Sequence, residues 1–571
     1  MSERDRSPQR ANKGKADELV FMALGGLGEI GMNTYLYGYG PPNARSWLMV
    51  DLGVTFPHET EPGADVVLPD LRYIVADRKN LAGLVLTHAH EDHIGAVLDL
   101  WPSLECPIFA TPFTAGMVKT KVGEAGRTAA LPIRTIPLGG RFKAGAFDVE
   151  FVGLTHSIPE PNGIAIRTPA GLVFHTGDWK FDSTPVVGKP HEPEKLKSLG
   201  DEGVLAIVGD STNAMREGRS ASEADVARAL TKIIVDAPRC VAVTLFASNV
   251  ARIASVAEAA RKSGRTLVVA GRALHRIIEV AKETGYLPES FTYLDQQRFS
   301  DLPRNKTLVL CTGSQGETRA AVARIAEGEH PDISLDKGDL IIFSSRTIPG
   351  NEKAVAKVQN GLARLGVDLV TDTDALVHVT GHPRRDELKD MYAWLRPKIA
   401  VPMHGEARHL REHAKLARAC GVNETFTIVD GDMLKLWPTP AAIVDQAPVG
   451  RLYRDGNLIV PDAEGPVKAR RKLSFVGIAV VSLVLSRRGD VLGEPGLVLE
   501  GIPAADADGE AMREVVFDAI DGTLRSIPQK RRSDIAMLQE ALQRAVRAAI
   551  NEAWGKKPVV KVLLSVVEAR A

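Results

Sequence analysis

Short apolar runs dominate the first part of the chain. LVFMAL, SWLMVDLG, LAGLVLTH, FDVEFVGLTH and AGLVFHTGDW follow one another between Leu19 and about Asp210, separated by Gly, Pro and Asp. Runs of this length with such punctuation predict β-rich layers whose loops carry the polar residues, with few helices. The pattern changes near Ser222. SEADVARALTKIIVDA has helical spacing, and Ser222 with Asp225 three residues on resembles a capping box. Strands (CVAVTLFASN, RTLVVAG, TLVLCTGSQGE, DLIIFSSR) then alternate with helices (VARIASVAEAARKSG, RALHRIIEVAKETG, TRAAVARIAEG, NEKAVAKVQNGLARLG). That alternation predicts a parallel, doubly wound α/β sheet, in which ligands sit beyond the carboxyl ends of the strands. Those ends, Phe246–Asn249, Thr312–Glu317 and Ser344–Glu352, are rich in Ser, Gly and Asn and suit an anion or phosphate.

β-like text returns after Val377 in LVHVTGH, KIAVPMHGE and FTIVDGDML. The α/β segment, residues 222–377, is therefore read as an insertion dividing a first domain into 19–221 and 378–447. Residues 1–18 read as a flexible, solvated tail and 448–467 as a linker with its own short strand. A small α+β domain, 468–571, has strand pairs around SRRGD. Its helix Asp534–Trp554 carries an apolar face of Ile535, Leu538, Leu542, Val546 and Ile550, and it closes in the extended VVKVLLSVV.

Composition narrows the class. With 44% hydrophobic and 25% charged residues in 571, wholesale disorder is excluded. Basic and acidic residues balance at 71 each, which excludes a chain that holds nucleic acid mainly by bulk positive charge but leaves room for a local basic groove. The four cysteines form no CxxC pair, so neither a disulfide framework nor a cysteine zinc site is expected, and a reducing cytoplasm is the simplest compartment. The longest apolar run, Leu473 to Leu485, is too short to span a bilayer, and the charged N-terminus lacks the apolar core of a secretory signal. No membrane partner is expected.

The chemistry concentrates in Thr87-His88-Ala89-His90-Glu91-Asp92-His93, immediately after an apolar strand. Four metal-ligand side chains in six positions is far denser than 14 histidines in the whole chain would give by chance. His156 (GLTHSIPE), Asp178 (FHTGDW) and His404 (VPMHGE) recur at other strand ends. Together they complete two sites: His88, His90, His156 and Asp178 for one ion; Asp92, His93, Asp178 and His404 for the other, with Asp178 bridging. Two divalent ions roughly 3.5–4 Å apart can hold a hydroxide and clamp an in-line phosphoryl displacement, supplying a nucleophile without Ser or Cys.

HAHEDH with His156, Asp178 and His404 resembles the metallo-β-lactamase superfamily, whose αββα sandwich the first domain would then adopt. Asp51 in VDLG matches that superfamily's first motif, a carboxylate that orients metal ligands. The insertion with GDSTN (Asp210), VTGH (His382) and PMHGE (His404) resembles the β-CASP nucleases. LGGLGEIGMN, TLFASN, CTGSQGE, SSRTIPGNE and HVTGHP together resemble the bacterial ribonuclease J family along nearly the whole chain. One departure is Pro383-Arg384-Arg385, where small polar residues are expected after the histidine.

The resemblance implies two divalent ions per subunit, zinc ahead of manganese or magnesium. It further implies attack by a metal-bridging hydroxide aided by Asp178, and proton donation by His382 held by Asp210. The substrate it implies is single-stranded RNA, degraded 5′ to 3′ from a 5′-monophosphate and also cut internally, in RNA processing and mRNA decay. Phe246, Ser248, Asn249, Ser314, Ser345, Arg346 and the stretch His378, Val379, Thr380, Gly381 and His382 are the candidates for a 5′-phosphate and base pocket. The C-terminal domain would support a homodimer or homotetramer, alongside RNA-degradation partners. Two other readings stay open on sequence alone: a different hydrolase of the same fold, acting on DNA or on a small ester or lactam, and a metal-stabilised scaffold with a dead site.

Overall fold

Strand Glu18–Gly25 is buried along nearly its whole length, the signature of a strand covered on both faces. In the computed structural model, which describes residues 16–126, 131–462 and 465–567, it lies inside an eight-stranded sheet. From one edge the order is Ala442–Gln446, Asp432–Trp437, Glu18–Gly25, Thr34–Gly40, Ser46–Val50, Leu81–Val85, Ile108–Ala110 and Ile133–Thr135. A seven-stranded sheet runs Glu424–Thr425, Ile399–Met403, Val204–Asp210, Gly171–His175, Asn162–Thr168, Phe147–Gly153, Arg141–Ala144. Phe21, Tyr37, Leu48 and Val85 from the first sheet meet Phe151, Ile164, Val173, Val208 and Val401 from the second in one core. The outer face of the seven-stranded sheet is covered by Leu196 and Leu199 of helix Pro193–Glu202, Leu388, Met391 and Leu395 of helix Arg385–Leu395, and Leu416 of helix Ala407–Ala419. This is the αββα sandwich of the metallo-β-lactamase fold.

Few helices were expected before Asp210, yet Val97–Leu104, Pro112–Glu124 and Pro193–Glu202 are helical. The first contains Pro102. The second carries Gly116 and Gly123 and buries Phe113, Thr114, Ala115, Met117 and Val118, a cluster without the clean apolar stripe that marks an amphipathic helix.

Val204–Asp210 and Ile399–Met403 are parallel neighbours, paired from Ala206↔Ile399 to Asp210↔Met403, although 188 residues separate the two strands in sequence. Most of that length forms the inserted domain. Its six-stranded sheet, Leu294–Asp295, Thr266–Ala270, Thr307–Cys311, Val241–Thr244, Leu340–Phe343, Asp368–Val370, is parallel throughout, with helices such as Glu223–Asp236 and Val250–Lys262 between strands. Ser222 caps the first of these helices with the expected reciprocal box.

The chain divides into two compact units, Met1–Thr55 with Val67–Arg451, and Phe56–Val66 with Leu452–Ala571. The sandwich and its insertion make up the first. In the second, strand Ile478–Ser486 pairs antiparallel with Gly496–Glu500 and parallel with Val559–Val567. Leu538, Leu542, Val546 and Ile550 of helix Ile535–Trp554 pack with Met512, Val516, Ile520 and Leu524 of helix Met512–Ser526 on one face of that sheet. Residues 451–461 hold a hairpin, Arg451–Asp455 with Leu458–Pro461. The expected N-terminal tail lies, over residues 1–15, outside the described residues.

Candidate metal centre

Strand ends converge on one place. His88 and His90 follow Leu81–Val85, His156 follows Phe147–Gly153, Asp178 follows Gly171–His175, and His404 follows Ile399–Met403. The carboxylate of Asp178 is central: its Oδ2 lies 3.2 Å from His93 Nε2, 3.3 Å from His404 Nε2, 3.8 Å from His156 Nε2 and 4.0 Å from His88 Nε2. His88 Nε2 and His156 Nε2 face His90 Nδ1 at 3.0 and 3.1 Å. The ligand atoms fall into the groups His88/His90/His156/Asp178 and Asp92/His93/Asp178/His404, and a third group joins Asp210, His382 and His404.

These side chains are nearly all buried, and the protein matrix decides their charge. Burial, then the neighbouring His93 and His90, hold the His88 imidazole well below its ordinary pKa. Burial brings His90 down to about 4. His156 is held low by burial, His90 and His382. Neutral imidazoles are the form that ligates metal. Burial would raise Asp178, yet His404, His93 and His382 keep its carboxyl well below the usual range, so it is an anion. For His93 burial is outweighed by Asp178, Asp92 and Asp51, and its pKa rises well above normal.

Divalent cations fit this donor set. Asp178 Oδ1 and His404 Nε2 are buried without any hydrogen-bond partner, a costly state for polar atoms of two residues in the cluster. Ions there would give both atoms a partner and neutralise Asp178.

A surrounding layer fixes the ligands. Asp51, fully buried with φ 61°, accepts from His93 Nδ1 (2.7 Å), Thr87 N (2.8 Å) and Thr87 Oγ1 (2.9 Å). Asn33, which sequence reasoning did not assign to the site, is equally buried and ties three ligands together. Its Oδ1 meets His404 Nδ1 at 2.8 Å, while its Nδ2 donates to the Asp92 backbone oxygen (3.0 Å) and lies 3.0 Å from His93 Nε2. It stands at the end of LGGLGEIGMN, and that glycine-rich text was its only sequence signal. Gly53 packs so closely on the Asp92 carbonyl that a Cβ there would overlap it.

Asp210 ends strand Val204–Asp210, and its Oδ2 lies 2.8 Å from His382 Nδ1. His382 also lies 3.9 Å from Asp178 Oδ2. Burial lowers its pKa, but Asp210 and Asp178 outweigh burial and raise it to about 9, so His382 carries a proton at neutral pH. A protonated imidazole beside the cluster, partly open to solvent, is placed to act as a general acid.

The other candidates distribute less simply. Ser248, Ser314 and Ser345 lie beyond the carboxyl ends of three adjacent strands, Val241–Thr244, Thr307–Cys311 and Leu340–Phe343. Asn249 caps helix Val250–Lys262, its Oδ1 accepting from Arg252 N at 2.9 Å. Arg346 pairs with Asp372 at 3.3 Å. His378 is driven to about 3, first by burial and then by Arg252 and Arg346. Val379 is buried, and Thr380 Oγ1 accepts from Asn213 Nδ2. The Gly381 carbonyl accepts from His156 Nδ1 at 2.6 Å, so its backbone orients a metal ligand. Phe246 is half-buried at the strand end.

Sandwich, insertion and donor set define a metal-dependent hydrolase of the metallo-β-lactamase fold in its β-CASP form. Comparison with known proteins narrows this. Four family profiles match: a beta-lactamase superfamily domain (60–198), the ribonuclease J beta-CASP domain (238–362), a Zn-dependent metallo-hydrolase RNA specificity domain (366–428) and the ribonuclease J C-terminal domain (465–567). Ribonuclease J of Sinorhizobium meliloti is 50% identical over 96% of this chain and 98% of its own length. Ribonuclease J of Corynebacterium glutamicum is 37% identical over 96% of this chain and 76% of its own. A crystal structure of an Enterococcus faecalis protein of unknown function, 15% identical, shares the fold with a TM-score of 0.50 over 73% of this chain and 100% of its own. The chain belongs to the ribonuclease J family of nucleases. Among the described residues no helix is long and apolar enough to cross a membrane.

Proposed function

We propose that the chain is a ribonuclease that degrades single-stranded RNA 5′ to 3′, preferring 5′-monophosphate ends, and also cuts internally. The observation that carries this reading is the His382–Asp210 pair, a proton donor from the segment linking the inserted domain to the sandwich, set 3.9 Å from the central carboxylate of the metal cluster.

Two divalent ions, zinc first and manganese or magnesium as alternatives, would lower the pKa of water toward about 7 and screen the phosphate charge. His88, His90, His156, Asp92, His93 and His404 would hold them, with Asp178 shared. The remaining steps belong to the chain. Asp51 and Asn33 keep His93 and His404 turned inward. His382 donates its proton to the leaving 3′-oxygen, and Asp210 holds the ring and stabilises its charged form before transfer.

The terminal phosphate would sit beyond the strand ends at Ser248, Ser314 and Ser345, near His378 and Arg346, with the first base against Phe246. A pocket closed behind the first nucleotide would favour mononucleotide release. The C-terminal unit would assemble the chain into a dimer or tetramer: the sheet face opposite its helices exposes Val484, Val498 and Leu563. A role in RNA processing and decay in the cytoplasm, with degradation partners, follows from the same reading.

A digest of matched 5′-monophosphate, 5′-triphosphate and 5′-hydroxyl RNA, with DNA of the same sequence, tests it. Mononucleotides should appear from monophosphate RNA and vanish with chelator. Equal cleavage of DNA, or activity that survives chelation, would overturn it.

A further inference from the structure

The departure at Pro383-Arg384-Arg385 has a structural counterpart. Loop 213–218 and turn 380–386 lie side by side: Arg385 N donates to the Arg216 carbonyl at 3.0 Å, and Asn213 Nδ2 to the His382 carbonyl at 3.2 Å. This brings Arg216 and Arg384 onto adjoining segments next to His382. Their neighbours are neutralised, Arg385 by Glu217 at 2.9 Å and Arg346 by Asp372 at 3.3 Å. Arg216 and Arg384 are not: among the described residues neither forms an ion pair with a carboxylate.

Arg216 is exposed, while the Nε of Arg384 is buried without an acceptor. Partial burial, then Arg346 and Arg384, hold the Arg216 guanidinium below its ordinary pKa, the reverse of what a carboxylate partner does. Several other arginines are matched by a carboxylate, as in Arg141–Asp148, Arg304–Asp336 and Arg167–Glu202. Two uncompensated guanidinium groups beside a proton donor form a site for an anion supplied from outside. Their planar forks suit the two free oxygens of a phosphodiester.

We propose that Arg216 and Arg384 together bind a backbone phosphate of the single-stranded substrate, one that is not cleaved, and so hold the strand beside His382. This rests on the reading of the substrate as RNA. The pair contributes local positive charge in a chain of zero net charge, and it reads no base, because a phosphate carries no sequence information.

The test measures kcat/KM of the metal-loaded enzyme on 5′-monophosphorylated oligouridylate and oligoadenylate across a salt series. R216Q and R384Q are compared with R525Q, which removes an exposed arginine of helix Met512–Ser526. Each of the first two should lower kcat/KM about 5- to 10-fold, through KM and equally for both homopolymers. Each should also flatten the log–log salt slope, by no more than about 0.7 because the two arginines neutralise one phosphate, while R525Q keeps the wild-type slope. Unchanged slopes in R216Q and R384Q, or a loss confined to kcat, would overturn the proposal while RNA turnover by the wild type leaves the substrate reading intact. A wild type that neither binds nor cuts RNA would remove the substrate reading and this proposal with it. R216Q alone decides the matter should R384Q fail to fold, since Arg216 is exposed and its side chain forms no ion pair among the described residues.

Discussion

Arg252 is the most deeply buried arginine of the inserted domain, at 0% exposure, and replacing it by methionine makes a quantitative test of how that domain is held. Its guanidinium donates to Glu223 Oε2 (2.9 Å), the Val377 carbonyl (2.7 Å) and the Ser344 carbonyl (3.2 Å). Those contacts join helix Glu223–Asp236, the end of strand Leu340–Phe343 and the start of the segment carrying His378 and His382. Methionine retains much of the apolar stem but strands the Glu223 carboxylate, itself 3% exposed, without a counter-charge. Removing one partner of a buried pair costs about 3–5 kcal/mol. For a domain of this size that lowers the melting midpoint by roughly 6–20 °C. Thermal unfolding followed by circular dichroism would read it. The double variant R252M/E223L should recover more than half of the loss, because no isolated charge remains. R252M within about 1 kcal/mol of wild type, or a double variant that loses the sum of the singles, would refute the reasoning.

Three further predictions concern the site. H382A should lower kcat about 10²- to 10⁴-fold with metal content near wild type; a large loss of metal would show that the residue is a ligand instead. His382 has a raised pKa, so its donor form is present at neutral pH and lost as pH rises; kcat of the wild type should fall along an alkaline limb at or below pH 9, and H382A should lack that limb. G381A would push a Cβ against His156 Nδ1, and N33A would remove the acceptor of His404 Nδ1; each should cost about 10- to 100-fold in metal affinity or activity, read by metal analysis of dialysed protein and by RNA turnover.

The four inner strands of the inserted sheet were legible because each has its own apolar run and its own Ser, Gly or Asn boundary, whereas the edge strands Leu294–Asp295 and Asp368–Val370, two and three residues long, have no such run and were not expected. The sandwich helices were not: Pro112–Glu124 mixes glycines and threonines with buried Phe113 and Met117, and a helix specified by tertiary packing leaves little periodic trace. Helix Met512–Ser526 is different, since Met512, Val516, Ile520 and Leu524 recur at four-residue spacing and the pattern was there to be read. At the site, dense titratable residues announced themselves, whereas Asn33 and the Gly381 carbonyl act through hydrogen bonds that no composition reveals. Asn249 shows how one side chain can serve two ends: its Oδ1 is engaged at a helix cap, and its Nδ2 is the atom that would donate to a phosphate.

The claim beneath all of these is that the buried imidazoles and Asp178 hold two ions. Anomalous-difference maps from crystals of the protein loaded with zinc or manganese test it most directly. Two peaks should appear roughly 3.5–4 Å apart, one among His88, His90 and His156, the other among Asp92, His93 and His404, with Asp178 between them. A single peak, or peaks outside these side chains, would contradict the account.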